Sequence, residues 1–280
     1  MAMSIVHGSY QSIWVPIKPS ATIYVGGLVG LDISSQSEGV EMLPDAAGVA
    51  NKTNNDIPFG IVIGTNRREP LYSSTYKCEY ITDPGAADAH DGASIEYALV
   101  EGPWAKGDPI AMVKIDILLP GAVIRAPIYN AAVGTAPTVV TCTTGDSNGL
   151  GGTFGSINFT PTTDNDATIY FRSGSNAGAY RIMDTASATV MAWDVALRND
   201  VAIGDTAVAV PMRTHGSSTI MFDATTMAWI DCADAPTKAG TNRWSVNIIR
   251  LDLSVAGQEY CDFVFQANHY TNFITPAVGS

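Results

Sequence analysis

Glycine and proline interrupt this chain so often that a long helix has almost nowhere to run: 26 glycines and 15 prolines are spread over 280 residues. Glycine loses the most backbone freedom in a helix, and proline removes a donor and clashes with the preceding turn. Between the breaks lie short runs of Val, Ile, Thr, Tyr and Phe, which suit the pleated, half-buried surface of a sheet. These runs predict strands at Thr22–Asp32, Ile57–Gly64, Lys77–Thr82, Ser94–Val100, Pro109–Leu118 and Pro137–Thr143. They predict further strands at Phe154–Phe159, Ala167–Phe171, Ala188–Leu197, Thr206–Val210, Ser218–Phe222, Arg243–Val255 and Glu259–Gln266. Turn chemistry fills the gaps, as in Asp83-Pro84-Gly85, Gly107-Asp108-Pro109, Pro120-Gly121 and Gly204-Asp205. The expected fold is all-β with little helix, arranged as two β-barrel-like or β-sandwich-like modules.

Two composition shifts suggest where the modules part. Asn130 to Thr144 changes from Ile/Leu-rich to Thr-rich around a Gly134-Thr135-Ala136-Pro137 hinge, and Asp234 to Gly240 precedes the last long strands. The expected division is a first β domain over 1–134, with an extended arm over about 1–20, and a second over 135–240. The strands in 241–280 belong to either, a return to the first domain included.

Three local patterns test this reading. Met183 to Ile203 has no Gly before 204 and no Pro, and its apolar residues fit both a helical and an alternating period. The weak helix material Thr185-Ala-Ser-Ala-Thr189 tips it to strand, with Met191, Trp193, Val195 and Leu197 on one side. In Trp244 to Val255 the apolar phase switches from 244, 246, 248 to 249, 251, 253, 255, which predicts a β-bulge near Ile248-Ile249. The segments Ala105–Val113 and Ala202–Val210 share a Gly-Asp turn feeding a strand, as a turn used twice or as two related modules.

Charge excludes several functions. Charged residues make up 15% of the chain, against about 25% in an ordinary soluble protein. A compact monomer of this mass would expose roughly 11,500 Å², or about one charge per 270 Å². Such a surface is either neutral and polar or covered by partners, and the second reading is preferred. With 27 acidic and 15 basic residues, net −12, there is no cationic footprint for nucleic acid. No run of about 18 uncharged apolar residues appears, the nearest (Pro109 to Ile124) being broken by Lys114 and Asp116. Lys18 is the first cation, so no charged segment precedes an apolar signal core. The chain reads as soluble, away from membranes, and made in a cytoplasm.

Catalytic and metal patterns are weak. Gly145-Asp146-Ser147-Asn148-Gly149 matches G-x-S-x-G, with Asp184 or Asp194 and His215 or His269 following in order. A nucleophile elbow needs a helix after the serine, and Leu150-Gly-Gly-Thr-Phe-Gly155 is poor helix material. The same glycines make no phosphate cradle and read as a flexible surface loop. His7, His90, His215 and His269 are scattered, and Asp164-Asn165-Asp166 lacks the spaced ligands of a calcium loop. Glu96, Glu101 and Asp108 stand out no more than other carboxylates as a hydrolase pair. Cys78, Cys142, Cys232 and Cys261 show no metal spacing; three lie in alternating runs as small core hydrophobes, with one disulfide left open. No catalytic residue, cofactor or metal is expected.

The stretch Met3 to Pro19 is richer. It carries large apolar residues and ends on a Pro-x-x-Pro stop, so it must be buried against something. Either it adds an edge strand to its own domain, or Ile5, Val6, Tyr10, Ile13 and Trp14 reach a neighbouring subunit or shell.

The segment Ile57-Pro-Phe-Gly-Ile-Val-Ile-Gly-Thr-Asn-Arg-Arg68, after Tyr24-Val-Gly-Gly-Leu-Val-Gly30 and Leu43-Pro-Asp-Ala-Ala-Gly48, resembles the capsid decoration (cement) proteins of tailed bacteriophages. Phe171 to Ile182 and Ala202 to Asp205 share that texture, so the likeness touches about half the chain. The resemblance implies a virion structural protein on the capsid surface with no catalytic residues. It implies a homo-oligomer, typically a trimer, that clamps the major capsid protein. A head-fibre or tail adhesin that binds carbohydrate is the alternative, and a serine or glycoside hydrolase the third. The chain is longer than the smallest decoration proteins, which leaves an outward task such as glycan adhesion for a second domain.

Overall fold

The β-forming runs pair as strands in a computed structural model, which describes residues 2–8, 10–18, 20–32, 39–43, 58–83, 97–98, 110–130, 133–157, 159, 167–187, 189–233 and 244–266. No helix occurs among these residues, and the sheets are almost wholly antiparallel, so the fold is all-β. The chain divides into two units: residues 1–126 with 222–229 and 265–280, and residues 127–221 with 230–264.

The first unit contains β1 (Ser4–His7), β2 (Ser12–Pro16), β3 (Thr22–Tyr24), β4 (Leu28–Asp32), β5 (Gly39–Met42) and β6 (Pro58–Thr65). β7 (Leu71–Ser73), β8 (Cys78–Thr82) and β9 (Met112–Ile117) complete it. Five strands form one sheet in the order β2-β9-β6-β4-β5, and β3-β8-β7 form another. Alternation sends Val15, Val29, Val62, Val113 and Ile115 from the first sheet, and Ile23 and Ile81 from the second, into one core. The outer strands of the five-stranded sheet meet: Ile17 bridges Val40, and Lys18 N–H donates to Val40 O at 2.9 Å. Gly39 permits that closure, since a Cβ there would lie 2.6 Å from Lys18 N.

Glycine also divides the strand predicted over Thr22–Asp32. Gly26 adopts φ +89°, and a Cβ on Gly27 would stand 2.1 Å from Thr226 O, so the chain turns and β4 starts afresh. Buried Asn66 pins the far end of β6. Its Nδ2 donates to Ala98 O and Ile110 O, and its Oδ1 accepts from Met112 N–H at 2.8 Å.

β10 (Val123–Tyr129) leads from the first unit into the second. The sequence reading gave no strand here, and Pro127, which has no N–H for a ladder, lies within it. The second unit continues with β11 (Val139–Thr144), β12 (Gly151–Phe154), β13 (Ala167–Phe171), β14 (Tyr180–Met183), β15 (Thr185–Ala186), β16 (Val190–Ala192) and β17 (Thr206–Val210). β18 (Gly216–Ile220), β19 (Ile230–Asp231), β20 (Trp244–Asp252) and β21 (Tyr260–Phe265) follow.

Seven of these strands run in the order β14-β13-β17-β11-β12-β16-β15. Its two edge strands are consecutive in the chain, with only Asp184 between them, and Asp184 N–H donates to Ala192 O at 2.9 Å. The sheet is therefore tied edge to edge by covalent chain. It encloses Val140, Cys142, Phe154, Ile169, Phe171, Met191 and Trp193, and Trp193 Nε1–H donates to Gly149 O at 2.8 Å.

β13 is buried along its whole length. On the face away from that core, Tyr170 stacks on Tyr180 with centroids 4.5 Å apart, and Thr168 donates to Met212 O. Tyr180 Oη donates to Leu251 O and accepts from Leu253 N–H. Arg172 donates through Nε and Nη2 to Leu253 O and pairs with the fully buried carboxylate of Glu259. These bonds hold the β20–β21 connection against β13 and β14.

The division differs from the expected one. The boundary falls inside β10 rather than at residue 134, because β10 continues unbroken to Tyr129 and pairs there with β19. β20 belongs with the second unit, because it pairs with β18 and its connection to β21 is bound by Arg172. The phase slip in β20 is present one residue late. Val246 and Ile248 are buried, Ile249 and Arg250 both face solvent, and Leu251 and Leu253 are buried again. Ile249, expected inward, is 57% exposed. Of Met183 to Ile203, Met183 ends β14 and β15 and β16 are strand; Met191, Trp193 and Leu197 are buried as expected, whereas Val195 is exposed.

Removing one partner of a buried ion pair strands the other charge, at about 3–5 kcal/mol, whereas replacing both by apolar groups is often neutral. Glu259→Leu is accordingly expected to lower unfolding stability by about 3–5 kcal/mol, and Arg172→Met with Glu259→Leu to recover most of it, read by urea denaturation of both variants. Asn66→Ala leaves the Met112 amide and two carbonyls of the first unit without their partner. Its expected loss is about 1–3 kcal/mol for the unmatched amide alone, measured in the same way.

Candidate interaction surface

The N-terminal stretch is folded into its own unit. β1 pairs antiparallel with β10, Ile5 opposite Ile124, and β2 pairs antiparallel with β9, Trp14 opposite Lys114. Ser12 Oγ donates to Asp116 Oδ1 at 2.5 Å. The apolar residues that seemed to demand a neighbour are divided by these pairings. Ile13 packs on the unit's own core, and Ile5 and Trp14 are half-buried.

Val6 and Tyr10 are not absorbed. The register slips between Ile5 and His7, so Val6 is an extra residue without a cross-strand partner, and it stays 42% exposed. Tyr10, between β1 and β2, is 53% exposed. β1 is the end strand of its sheet, so its outer backbone edge is unpaired by any described strand. A strand edge with an exposed apolar side chain on it is a template for adding a strand from another chain. Of the five expected contact residues, Val6 and Tyr10 are left exposed, Val6 on the end strand β1, whereas Ile5, Ile13 and Trp14 are half-buried within their own unit.

Sequence reasoning missed a second surface. In the three-stranded sheet Tyr24 stands opposite Tyr80, and Tyr80 opposite Leu71, so all three share one face while Ile23 and Ile81 fill the core behind. Tyr76, in the β7–β8 turn, meets Tyr24 edge-on at 5.3 Å, and Tyr24 lies 5.7 Å from Tyr80. Tyr76 also lies 5.9 Å from buried Trp229. The 222–229 segment is set there by Asp223, whose Oδ2 accepts from Thr226 N–H and Thr226 Oγ1–H, and by Leu28 N–H donating to Met227 O. Burial, then Tyr76, Cys78, Tyr80 and Asp223, hold the Tyr24 phenol above its ordinary pKa, so it remains a donor at neutral pH. Strand alternation alone could have put Tyr80 with Cys78 and Thr82. The neighbour that completes the row comes from a strand more than fifty residues earlier, which no local pattern reveals.

The catalytic motifs do not converge. Ser147 lies in the turn between β11 and β12, a strand–turn–strand with no helix after it, and it is exposed. Asp184 and Asp194 are exposed, and His215 is exposed against Thr214 Oγ1. The glycines after it are not a flexible loop. Gly151 and Gly152 form β12, and a Cβ on Gly151 would lie 2.8 Å from Met191 O in the next strand. Among the described residues no three His, Cys, Asp or Glu side chains gather as metal ligands. Asp164-Asn165-Asp166, His90, His269, Glu96, Glu101, Asp108 and the first copy of the Gly-Asp echo lie outside the described residues.

All four cysteines are free thiols, Cys142, Cys232 and Cys261 buried and Cys78 half-buried. Burial raises the pKa of each, most strongly at Cys232 and Cys261. No protein family, curated protein or solved structure matches the chain.

The thiols supply a pH-dependent check. A raised pKa means less thiolate at a given pH, so alkylation is expected to be slow at pH 7 and to accelerate as pH rises. Cys78 is expected to react first, and Cys232 and Cys261 only on unfolding. Peptide mass mapping after timed iodoacetamide treatment reads the order, and early labelling of Cys261 would contradict the packing described above.

Proposed function

We propose that this chain is a virion structural protein, a capsid decoration (cement) protein. In this reading it binds the major capsid protein shell as a homotrimer on the capsid surface, after assembly in the host cytoplasm, and it performs no catalysis. The observation that carries the reading is the edge of β1, an end strand whose bulge leaves Val6 exposed, with Tyr10 exposed in the segment that follows it. An unpaired strand edge flanked by apolar side chains is a liability in a lone monomer and an asset in a clamp. Closed symmetry hides such edges, and a shell supplies polypeptide to pair with them. The sparse charge of the chain supports the same role, because a neutral surface loses less on desolvation. The net charge of −12 argues against nucleic acid as the partner.

Light scattering behind a sizing column, run with and without empty capsids, tests it. The expected result is a stable trimer that sediments with shells. A monodisperse monomer that ignores them overturns the proposal. Val6→Asp and Tyr10→Asp are expected to weaken shell binding about tenfold or more, the loss typical of an apolar anchor at an interface centre. Because both residues are exposed, their thermal midpoints are expected to stay near wild type.

A further inference from the structure

The tyrosine face of the β3-β8-β7 sheet has no task in shell binding through β1, and its chemistry is unlike that of the strand edge. Tyr80, Tyr24 and Tyr76 form a continuous row of half-buried rings, with neighbouring centroids 5.7 and 5.3 Å apart. Leu71 flanks Tyr80 on one side, and the hydroxyls of Thr22 and Thr82, 2.9 Å from each other, flank the Tyr24–Tyr80 pair on the other. The three phenol oxygens make no hydrogen bond to any described residue. Asp223 binds Thr225 and Thr226 through Oδ2, leaving Oδ1 outside that turn's bonds.

We propose that this face is a carbohydrate-binding site for a neutral pyranose. The C–H face of the sugar lies on the Tyr24 and Tyr80 rings, the phenols donate to its hydroxyls, and Asp223 accepts from one of them.

Charge decides between ligand classes. Tyr76, Cys78, Tyr80 and the carboxylate of Asp223 each disfavour a negative charge on the Tyr24 phenol. A phosphate, a nucleic acid or an acidic sugar laid on the Tyr24 ring would bring its charge up against the Asp223 carboxylate. A neutral polyol meets rings for its apolar face and both donors and an acceptor for its hydroxyls. The rings are held before any ligand arrives, since Tyr24 and Tyr80 are fixed by strand pairing and Tyr76 by the 222–229 segment. Little side-chain entropy is then lost on binding. The site lies in the first unit, whereas the sequence had left glycan adhesion to a second domain.

Saturation-transfer difference NMR on the full chain without capsids tests this independently of shell binding. The probes are the methyl glycosides of glucose, galactose and mannose, N-acetylglucosamine, sialyllactose and tetramethylammonium. Transfer to the C–H protons of at least one neutral sugar is expected. Tyr24→Ala and Tyr80→Ala are expected to weaken it about tenfold, the loss of one ring contact. Tyr24→Phe and Tyr80→Phe, which keep the packing, are expected to weaken it less, and they decide the matter if an alanine variant fails to fold. Tyr72→Ala, on the opposite face of the same sheet and 60% exposed, is expected to change nothing. No transfer to any neutral sugar, transfer insensitive to the Tyr24 and Tyr80 variants, or preference for tetramethylammonium or sialyllactose would each overturn the assignment.

Discussion

Without a helix among the described residues, the backbone there cannot be satisfied locally. Most buried N–H and C=O groups must find a partner on another strand, and the rest a turn or a polar side chain, so the fold is decided by how each sheet disposes of its edges. The five-stranded sheet of the first unit brings β2 and β5 together through Ile17 and Val40, at a point where Gly39 carries no Cβ to keep them apart. The seven-stranded sheet of the second unit joins its edges through the chain itself, β14 becoming β15 across Asp184. The edges left over among the described strands are those of β1, β3, β7 and β18, with the two-residue β19 beside β10. What the described part of this molecule can offer another polypeptide by strand addition is therefore short and definable.

Polar side chains stabilise where the strands stop. Asn66 joins the end of β6 to the backbone at residues 98, 110 and 112. Asn176 serves the second unit similarly, donating to Asn199 O and Asp200 O and accepting from Asn199 N–H. Both are neutral amides with one acceptor and two donors, which match mixed backbone groups without the desolvation penalty of a charge. Arg172 and Glu259 are the contrasting case, a buried pair retained at a position where a connection between strands must be fixed. Such a pair adds little net stability over an apolar replacement, so its worth lies in orientation, Arg172 also holding Leu253 O in place. With so few charges in the sequence, spending two on one connection marks that connection as structurally specified.

Much of this was legible in the sequence, and the failures have physical causes. β13 and β17 coincide with the predicted runs, because Ala167–Phe171 and Thr206–Val210 are short, β-rich and bounded by turns. Three cysteines were expected as core hydrophobes and three are buried, although Cys232, outside every predicted strand, is one of them and Cys78, inside one, is only half-buried. β10 was not read as a strand, and Pro127 within it is ordinarily a contrary sign for a sheet. β3 and β4 read as one strand because the strand-formers continue through Gly26 and Gly27. The approach of Thr226 from two hundred residues away explains Gly27, and a positive φ with Ala2 close by explains Gly26. The N-terminal apolar stretch was recognised as needing a partner, but hydrophobicity does not say whose. The partners β9 and β10 are about a hundred residues distant, and long-range pairing leaves no local trace. The tyrosine row was unreadable for the same reason.

The two surfaces of the first unit follow from one property of the β-strand. A strand presents hydrogen-bonding groups along its edge and side chains on its faces, and these recognise different things. An edge reads polypeptide with little regard for sequence, which suits a repeated lattice in which every subunit offers the same backbone. A face reads shape and chemistry through particular residues, which suits a ligand defined by its hydroxyl pattern. At β1 the bulge keeps Val6 beside the edge and adds some side-chain discrimination to backbone pairing. At Tyr24 and Tyr80 the register does the opposite, aligning rings across strands whose backbones are already paired with each other. A partner can thus occupy the β1 edge without using any group that the tyrosine face needs, and the two kinds of recognition can be lost separately.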